Sequence, residues 1–358
     1  LFTHKEDKLK IPEKITDIAK AAAVISAAIL IIVYPSETAT ATIQSIDVCI
    51  SSIIPSMFAF MVISSYTQAS GIYKTVFRPV LFIFRRLINA DDSITSVFLL
   101  SLFGGYPIGV KLLSEIIAQN KNSPAIKSTA ENSAMFCYCI SPTFAIIMIG
   151  SGVFGSTEAG VLIYLSNVLS CLVTAVIISR ITSLKCEVTV NAEKKSITDS
   201  INSASRSLFV ICTVIIAFNT VLACISGLMR DIGYNADPLL FGLFEVSNLL
   251  RLPAVTIAAI PIISAIASFG GMCVLLQCTA IVKNVFSVKK FLLARIPCSL
   301  LSGVFSYVIL QFTDISVTAS TISPGYSFSF SADKIIILIL IAMCIIIFNK
   351  YDKILKKV

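Results

Sequence analysis

The sequence predicts an all-α polytopic membrane protein made of two related halves, with broken helices, re-entrant or interfacial hairpins and about 8–10 membrane spans. Three observations predict it. The 358 residues are 56% hydrophobic and only 13% charged, with a mean hydropathy of +0.91, whereas soluble domains carry about 25% charged residues. Several apolar runs reach about 18 residues, long enough to cross roughly 30 Å of hydrocarbon. Two of these runs carry the same interruption, Phe103-Gly104-Gly105 and Phe269-Gly270-Gly271, 166 residues apart.

Taken in order, residues 1–42 hold a polar, lysine-bearing leader and a first span near 18–35. That span lacks a small-residue cleavage site, so it reads as retained rather than as a signal peptide. Residues 43–182 form the first half, with spans near 43–66, 95–116, 133–153 and 159–182. Residues 183–202 are a polar loop. The second half, 203–349, has spans near 203–227, 254–283, 292–312 and 334–349, and a basic tail follows at 350–358. Two short apolar pieces, 73–87 and 237–252, are too short for a straight span and read as re-entrant or interfacial helices.

The formal net charge is +8. The basic residues lie in loops and tails, which fits positive-inside topology rather than nucleic-acid binding. Lys5, Lys8, Lys10, Lys14 and Lys20 precede the first span, the loop 36–42 has no Lys or Arg, and Lys185, Lys194, Lys195 and Arg206 follow the first half. The N-terminus, the 183–206 loop and the tail are therefore expected in the cytoplasm. The basic residues across 283–295 (Lys283, Lys289, Lys290 and Arg295) do not fit an inverted second half easily.

Several chemistries are disfavoured. The only histidine is His4, in the leader, which removes His-based zinc sites and the usual Ser-His or Cys-His catalysis. No intramembrane aspartyl pair is evident, and no Walker A sequence occurs. The 11 cysteines lie mostly in apolar runs, where Cys acts as a small hydrophobe, and Cys137-Tyr138-Cys139 is not a CxxC. Gly150 to Gly155 matches GxGxxG but ends a membrane span instead of following a strand. Neither an enzyme nor a metal site nor a bound cofactor is expected.

The repeat extends beyond the two Phe-Gly-Gly motifs. Residues 85–105 align with 251–271 without a gap, Lys111 falls on Gln277, and a short apolar piece precedes each break. Duplicated halves with Gly/Pro-interrupted helices in matching positions point to a secondary-transporter site. A broken helix in lipid strands backbone polar groups, which is tolerated only where protein or a wet cavity satisfies them. The two breaks are therefore expected to face each other across such a cavity.

"FGGYPIGVKLLSEI", "ENSAMFCYCISPTF", "FGLFEVSNLL" and "SFGGMCVLLQ" occur in the order found in the sporulation integral membrane protein YlbJ (SpoVV) family, and the chain resembles it from about residue 45 to 310. That family belongs to the nucleoside-recognition, or Gate, domain group, and more distantly the halves look like concentrative nucleoside transporters. The resemblance implies two Gate-like repeats and transport of dipicolinic acid across the outer forespore membrane of a spore former, with the chain integral to a bacterial cytoplasmic membrane. A nucleoside or another small solute, or a non-transporting sporulation scaffold, are the alternatives.

The expected substrate-binding residues follow from the breaks and the intramembrane polar groups. Gly104, Gly105, Tyr106 and Pro107 form one unwound stretch whose amides suit an anion; Gly105-x-x-x-Gly109 equally fits a helix-packing face. Ser268, Gly270 and Gly271 form the other. Lys111 is an intramembrane charge, costing about 2.5–3.5 kcal/mol on insertion scales, and suits a carboxylate; Glu115, at i+4, could instead neutralise it. Glu245 is placed to orient the ligand or to carry a coupling Na⁺ or H⁺. Asn248 and Gln277 supply neutral donors and acceptors, and Glu115, Ser141 and Pro142 are secondary candidates, the last two marking another bend. The partners expected are a small molecule and the bilayer, with no nucleic acid, and an oligomer is left open.

Overall fold

The computed structural model describes residues 13–120, 123–185, 196–234, 238–252, 255–282, 285–313 and 315. Among them the architecture is all-helical: no sheet forms, and Ala90 and Leu184 make one isolated bridge. The expected span at 334–349 and the basic tail lie outside the described residues, as do Lys194, Lys195 and Lys283.

Helix α1 (Glu13–Val33) meets α2 (Pro35–Val48) at Tyr34, and the chain continues through a π turn (Cys49–Ile53) into α3 (Ile54–Ala69). Pro35 sits at the start of α2, where its missing N–H costs nothing. The expected loop at 36–42 is therefore the first turns of a helix. Pro55 lacks a donor and its ring would meet the carbonyl one turn back, and the π turn immediately before it widens the helix there. Tyr34 donates to Asp231 (2.7 Å) and Arg230 pairs with Glu37 (2.6 Å), fixing this corner.

A single turn, α4 (Tyr73–Val76), leads into α5 (Arg78–Ile88). This short helix buries Leu81 and Ile88 and exposes Phe82, Ile83, Arg78 and Arg86. Asn89 ends it in the left-handed conformation (φ 48°), and Asp91 caps α6 (Asp92–Gly104) through the Ser93 amide. Helix α6 is buried on nearly every side, as an apolar helix at a bundle centre should be. Its polar residues are matched: Gln68 donates to Ser93 (2.6 Å) and accepts from Ser96 (2.7 Å).

After Gly105 comes α7 (Tyr106–Gln119), then α8 (Pro124–Ser133). The expected span at 133–153 is not one helix. The chain leaves helical geometry after α8, runs non-helically through 138–141, and re-enters as a π-helix (Thr143–Ser151). Pro142 has no N–H to continue a helix from α8, so the bend read at Ser141 and Pro142 is where the run divides. Helix α9 (Thr157–Ile181) follows, packed through Gly160 against Ile146 and Gly150. The GxGxxG-like stretch thus serves close packing.

The second part opens with α10 (Ile197–Asp231), whose start carries a Ser196–Asp199 capping box. The piece expected at 237–252 is α11 (Pro238–Phe244), an extended Glu245 and a 3-10 helix (Val246–Arg251). Then come α12 (Ile260–Phe269), α13 (Gly271–Val282) and α14 (Lys289–Leu310).

Among the described residues, five helices are long and apolar enough to cross a membrane: Pro35–Ala69, Thr157–Ile181, Ile197–Asp231, Ile257–Val282 and Lys289–Leu310. Large apolar residues cover their outer faces, among them Leu165, Ile177, Leu300 and Val304, as lipid contact requires. The count falls below the expected 8–10 for physical reasons. The 95–116 run is two shorter helices, 133–153 is interrupted, the apolar part of α1 covers only Val24–Val33, and 334–349 is not described.

Small residues allow the close contacts inside the bundle. Ser264 on α12 and Ser302 on α14 bond at 3.0 Å. Gly109 on α7 lies against the 137 backbone, where an added Cβ would sit 2.0 Å from the Cys137 carbonyl oxygen. Gly105-x-x-x-Gly109 is therefore a packing face at its second glycine. Gly109→Ala is expected to lower the melting temperature of the detergent-solubilised protein markedly, since overpacking costs about 1–3 kcal/mol. Gly152→Ala, whose Cβ would meet only the Ile147 oxygen at 3.7 Å, should leave it nearly unchanged.

Candidate functional site

The two interruptions lie where the sequence places them. Gly105 separates α6 from α7 with φ 89°, and Gly270 separates α12 from α13 with φ 82°, conformations that L side chains rarely adopt. Each break frees backbone carbonyls from the i+4 pairing of a continuous helix. Three tyrosine hydroxyls take them up. Tyr106, first residue after one break, donates to the Ala267 carbonyl at the other. Tyr138 donates to the Phe269 carbonyl (3.2 Å), and Tyr164 to the Leu102 carbonyl (3.0 Å).

The breaks therefore meet directly. The rings of Tyr106 and Tyr138, 4.9 Å apart, fill the space between them, and Gly270 is required there because an added Cβ would lie 2.1 Å from the Tyr138 hydroxyl. This differs from the expected arrangement across a hollow: aromatic rings occupy the position, and Tyr106 and Tyr138 are buried.

Other predicted residues join this centre. Gly104 is covered by Phe60 and Ile108, Pro107 is buried in the first turn of α7, and Ser141 packs against Gly105. Pro142, beside Ser141, begins the return to helix, and Ser141 caps it by accepting from the Phe144 amide (3.2 Å). Ser268 is fully buried and accepts from Asn167 on α9 (2.7 Å), whose oxygen in turn accepts from the Ile140 amide (3.0 Å) and the Cys139 thiol (2.7 Å). One side chain thus ties the non-helical 138–141 stretch to the α12 end.

Glu245 is buried, which excludes an acid turned to water. One carboxylate oxygen caps the 3-10 helix through the Ser247 amide (3.2 Å), and the other, Oε2, has no partner. The backbone on both sides of Glu245 lies about 3 Å from the Gly271 Cβ position, so the carboxylate stands at the N-terminus of α13, where the helix dipole favours it. Asn248 bonds back to the Glu245 carbonyl (3.1 Å), and Gln277 reaches Cys273 within its own helix (3.5 Å).

Lys111 lies a turn and a half along α7. It is buried, bonds Ser65 and forms an ion pair with Glu115 (2.7 Å), which also accepts from Ser203 on α10. The pair borders a polar cavity of about 370 Å³ lined on α7 by Lys111, Ser114 and Glu115, on α10 by Asn202, Ser203 and Arg206, and on α13 by Ala280 and Ile281. Helices α7 and α13 both start at a break and reach this cavity, so its floor and the breaks share two half-helices. The described residues hold no cluster of metal-ligating side chains, and the described cysteines are free thiols.

Four residues of the centre are additions to the sequence reading: Tyr138, Tyr164, Asn167 and Arg295. Arg295 was counted among loop charges, but it lies inside α14 with no exposed surface. Its position within an apolar run, "FLLARIPCSLL", is the signal that marks it. Asn167, in "YLSNVLS", is marked in the same way.

Comparison with known proteins returns no matching family model, curated sequence or solved structure.

Asn167→Ala strands the buried Ile140 amide and Ser268 hydroxyl, and an unsatisfied buried group costs about 1–3 kcal/mol. A clear fall in melting temperature is expected. A melting curve equal to wild type would show that Asn167 does not hold the two segments together.

Proposed function

We propose that this chain is a secondary transporter of a small anionic, heteroaromatic solute in a bacterial membrane, and that the solute in spore formers is dipicolinic acid. The observation that carries this reading is the meeting of two interrupted helices: the Tyr106 hydroxyl bonds the carbonyl freed at Ala267. Paired half-helices inside a bundle are how transporters place backbone groups at a binding site. The repeated order supports it: a short piece, a half-helix, a positive-φ glycine and a second half-helix occur as α5–α6–Gly105–α7 and as α11–α12–Gly270–α13. In this reading they are two related Gate-like halves.

The polar cavity at Lys111 and Glu115 is the vestibule on one side. The solute enters there, and its arrival at the breaks requires the Tyr106 and Tyr138 rings to move aside. The arrangement as described is then a closed state, and alternating access comes from one half moving against the other. Lys111, paired with Glu115 in the closed state, exchanges that partner for the anion as it enters the vestibule. Glu245, with one oxygen unbonded, carries the coupling cation, H⁺ or Na⁺.

The test is uptake into proteoliposomes containing the purified chain, with labelled dipicolinate and uridine compared. Protein-dependent uptake of dipicolinate is expected, and Lys111→Ala should bring it to the level of empty vesicles at unchanged protein content. Uptake of uridine alone would assign a nucleoside as substrate. Uptake of neither solute would favour a membrane scaffold and sink the transport reading. Glu245→Gln should make any remaining uptake insensitive to an imposed pH or Na⁺ gradient.

A further inference from the structure

We infer that Arg295 is the fixed positive charge that receives a carboxylate of the solute at the helix breaks; the inference rests on the transport reading and names the group that recognises the anion. Arg295 has no exposed surface. A guanidinium cannot shed its proton in a protein, so the charge stays. No carboxylate among the described residues pairs with it. Its contacts include two carbonyls, Tyr138 O (3.2 Å) and Met135 O, the faces of Tyr138 (4.6 Å to the ring centre) and Phe291 (5.5 Å), and the side chain of Cys298. The Nε–H is buried and has no partner.

The contrast with Lys111 decides the assignment. Lys111 has Glu115 one turn away and a serine on another helix, so its charge is already matched. Arg295 has carbonyl dipoles, ring faces and the Cys298 thiol, with no carboxylate beside it among the described residues; these offset part of the cost of a buried cation and leave its charge without an anionic partner. The surroundings add to the same sign. Helix α7 begins at the break with no side-chain cap, and its dipole places partial positive charge there. Glu245, the buried acid of this region, stands at the N-terminus of α13 instead.

Tyr138 links the cation to the break. Its ring lies against the guanidinium, its carbonyl accepts from Nη1, and its hydroxyl holds the Phe269 carbonyl. A shift of this one side chain uncovers Arg295 toward the point where the two half-helices meet. A planar aromatic carboxylate could then replace the tyrosine, with its ring in place of the phenol and a carboxylate oxygen on Nε–H. Arg295 also steadies the chain after α8 through its carbonyl bonds, so the test must separate recognition from clamping.

The test compares binding of pyridine-2,6-dicarboxylate with that of the neutral pyridine-2,6-dicarboxamide, using the purified full-length chain in detergent. Wild type is expected to prefer the dianion by on the order of tenfold or more. Arg295→Gln should abolish that preference while the protein remains monodisperse. A folded Arg295→Gln protein with the wild-type ratio overturns the inference. Should that variant not fold, Arg295→Lys serves: it keeps a cation and a donor to the Tyr138 carbonyl but loses the planar fork. Its ratio should fall by about tenfold, because charge-assisted bidentate contacts are the strong ones, and an unchanged ratio again overturns the inference. Wild-type binding and uptake without preference for the dianion would defeat the role of Arg295 and leave transport standing. Absence of uptake of either compound, or of uridine, would defeat the transport reading itself.

Discussion

A helix cannot be interrupted inside an apolar bundle unless something replaces the hydrogen bonds it loses, and the rest of this molecule is arranged around that constraint. Here the replacements are phenol hydroxyls. Tyr106, Tyr138 and Tyr164 donate to Ala267, Phe269 and Leu102, and an unpaired backbone carbonyl in hydrocarbon would otherwise cost several kcal/mol. A tyrosine suits this task because its ring supplies apolar contact while its single hydroxyl reaches the acceptor. The glycines follow from the same requirement. Gly105 and Gly270 provide positive φ, and Gly270 also leaves room for the Tyr138 hydroxyl.

Three of the bonds at the breaks cross between the first and second parts of the chain: Tyr106 on α7 reaches Ala267 on α12, Tyr138 reaches Phe269, and Asn167 on α9 reaches Ser268. The Tyr164 bond to Leu102 stays within the first part. The break at Gly270 is therefore completed by the first part, and relative movement of the two would exchange these three partners as a group. Within the second part, small residues such as Ser264, Ser302 and Gly303 keep α12 and α14 close. The polar cavity beside Lys111 lies along α7 and at the end of α13, so a movement of either half-helix would be felt at both the cavity and the break.

What could be read from the residues, and what could not, divides along local and non-local lines. The breaks at Gly105 and Gly270, the short α5 and the Lys111–Glu115 pair depend on neighbours in sequence or on i+4 spacing, and all are visible in the residue order. The interruption of 133–153 was less legible, because "SAMFCYCISPTFAIIMIGS" is apolar throughout and only Pro142 marks it. Burial by the surrounding helices sustains that non-helical stretch, and hydropathy carries no trace of it. Arg295 was misplaced for a related reason. It follows Lys289 and Lys290 closely, so a window of charge assigns it to the loop, whereas the helix turns it inward and away from them. The filled space between the breaks was illegible too, since Tyr138 reaches Gly270 across 132 positions of sequence.

The electrostatics of the centre complete the picture. An intramembrane cation costs about 2.5–3.5 kcal/mol even on the mildest scales, and proteins usually offset it with a nearby carboxylate, as Glu115 does for Lys111. At Arg295 that offset is missing among the described residues, and Glu245, buried within the same bundle, keeps one oxygen unbonded. A cation in a low-dielectric interior retains most of its desolvation cost when no anion lies beside it, because attraction falls with distance while the loss of water does not. Direct pairing with an anion at Arg295 would lower the energy of the occupied state relative to the empty one. The Tyr138 ring against the guanidinium can shield the charge in the empty state, but it cannot neutralise it. Burial of Arg295 therefore leaves the centre electrostatically unfinished, and an anion that reaches it would gain from completing it.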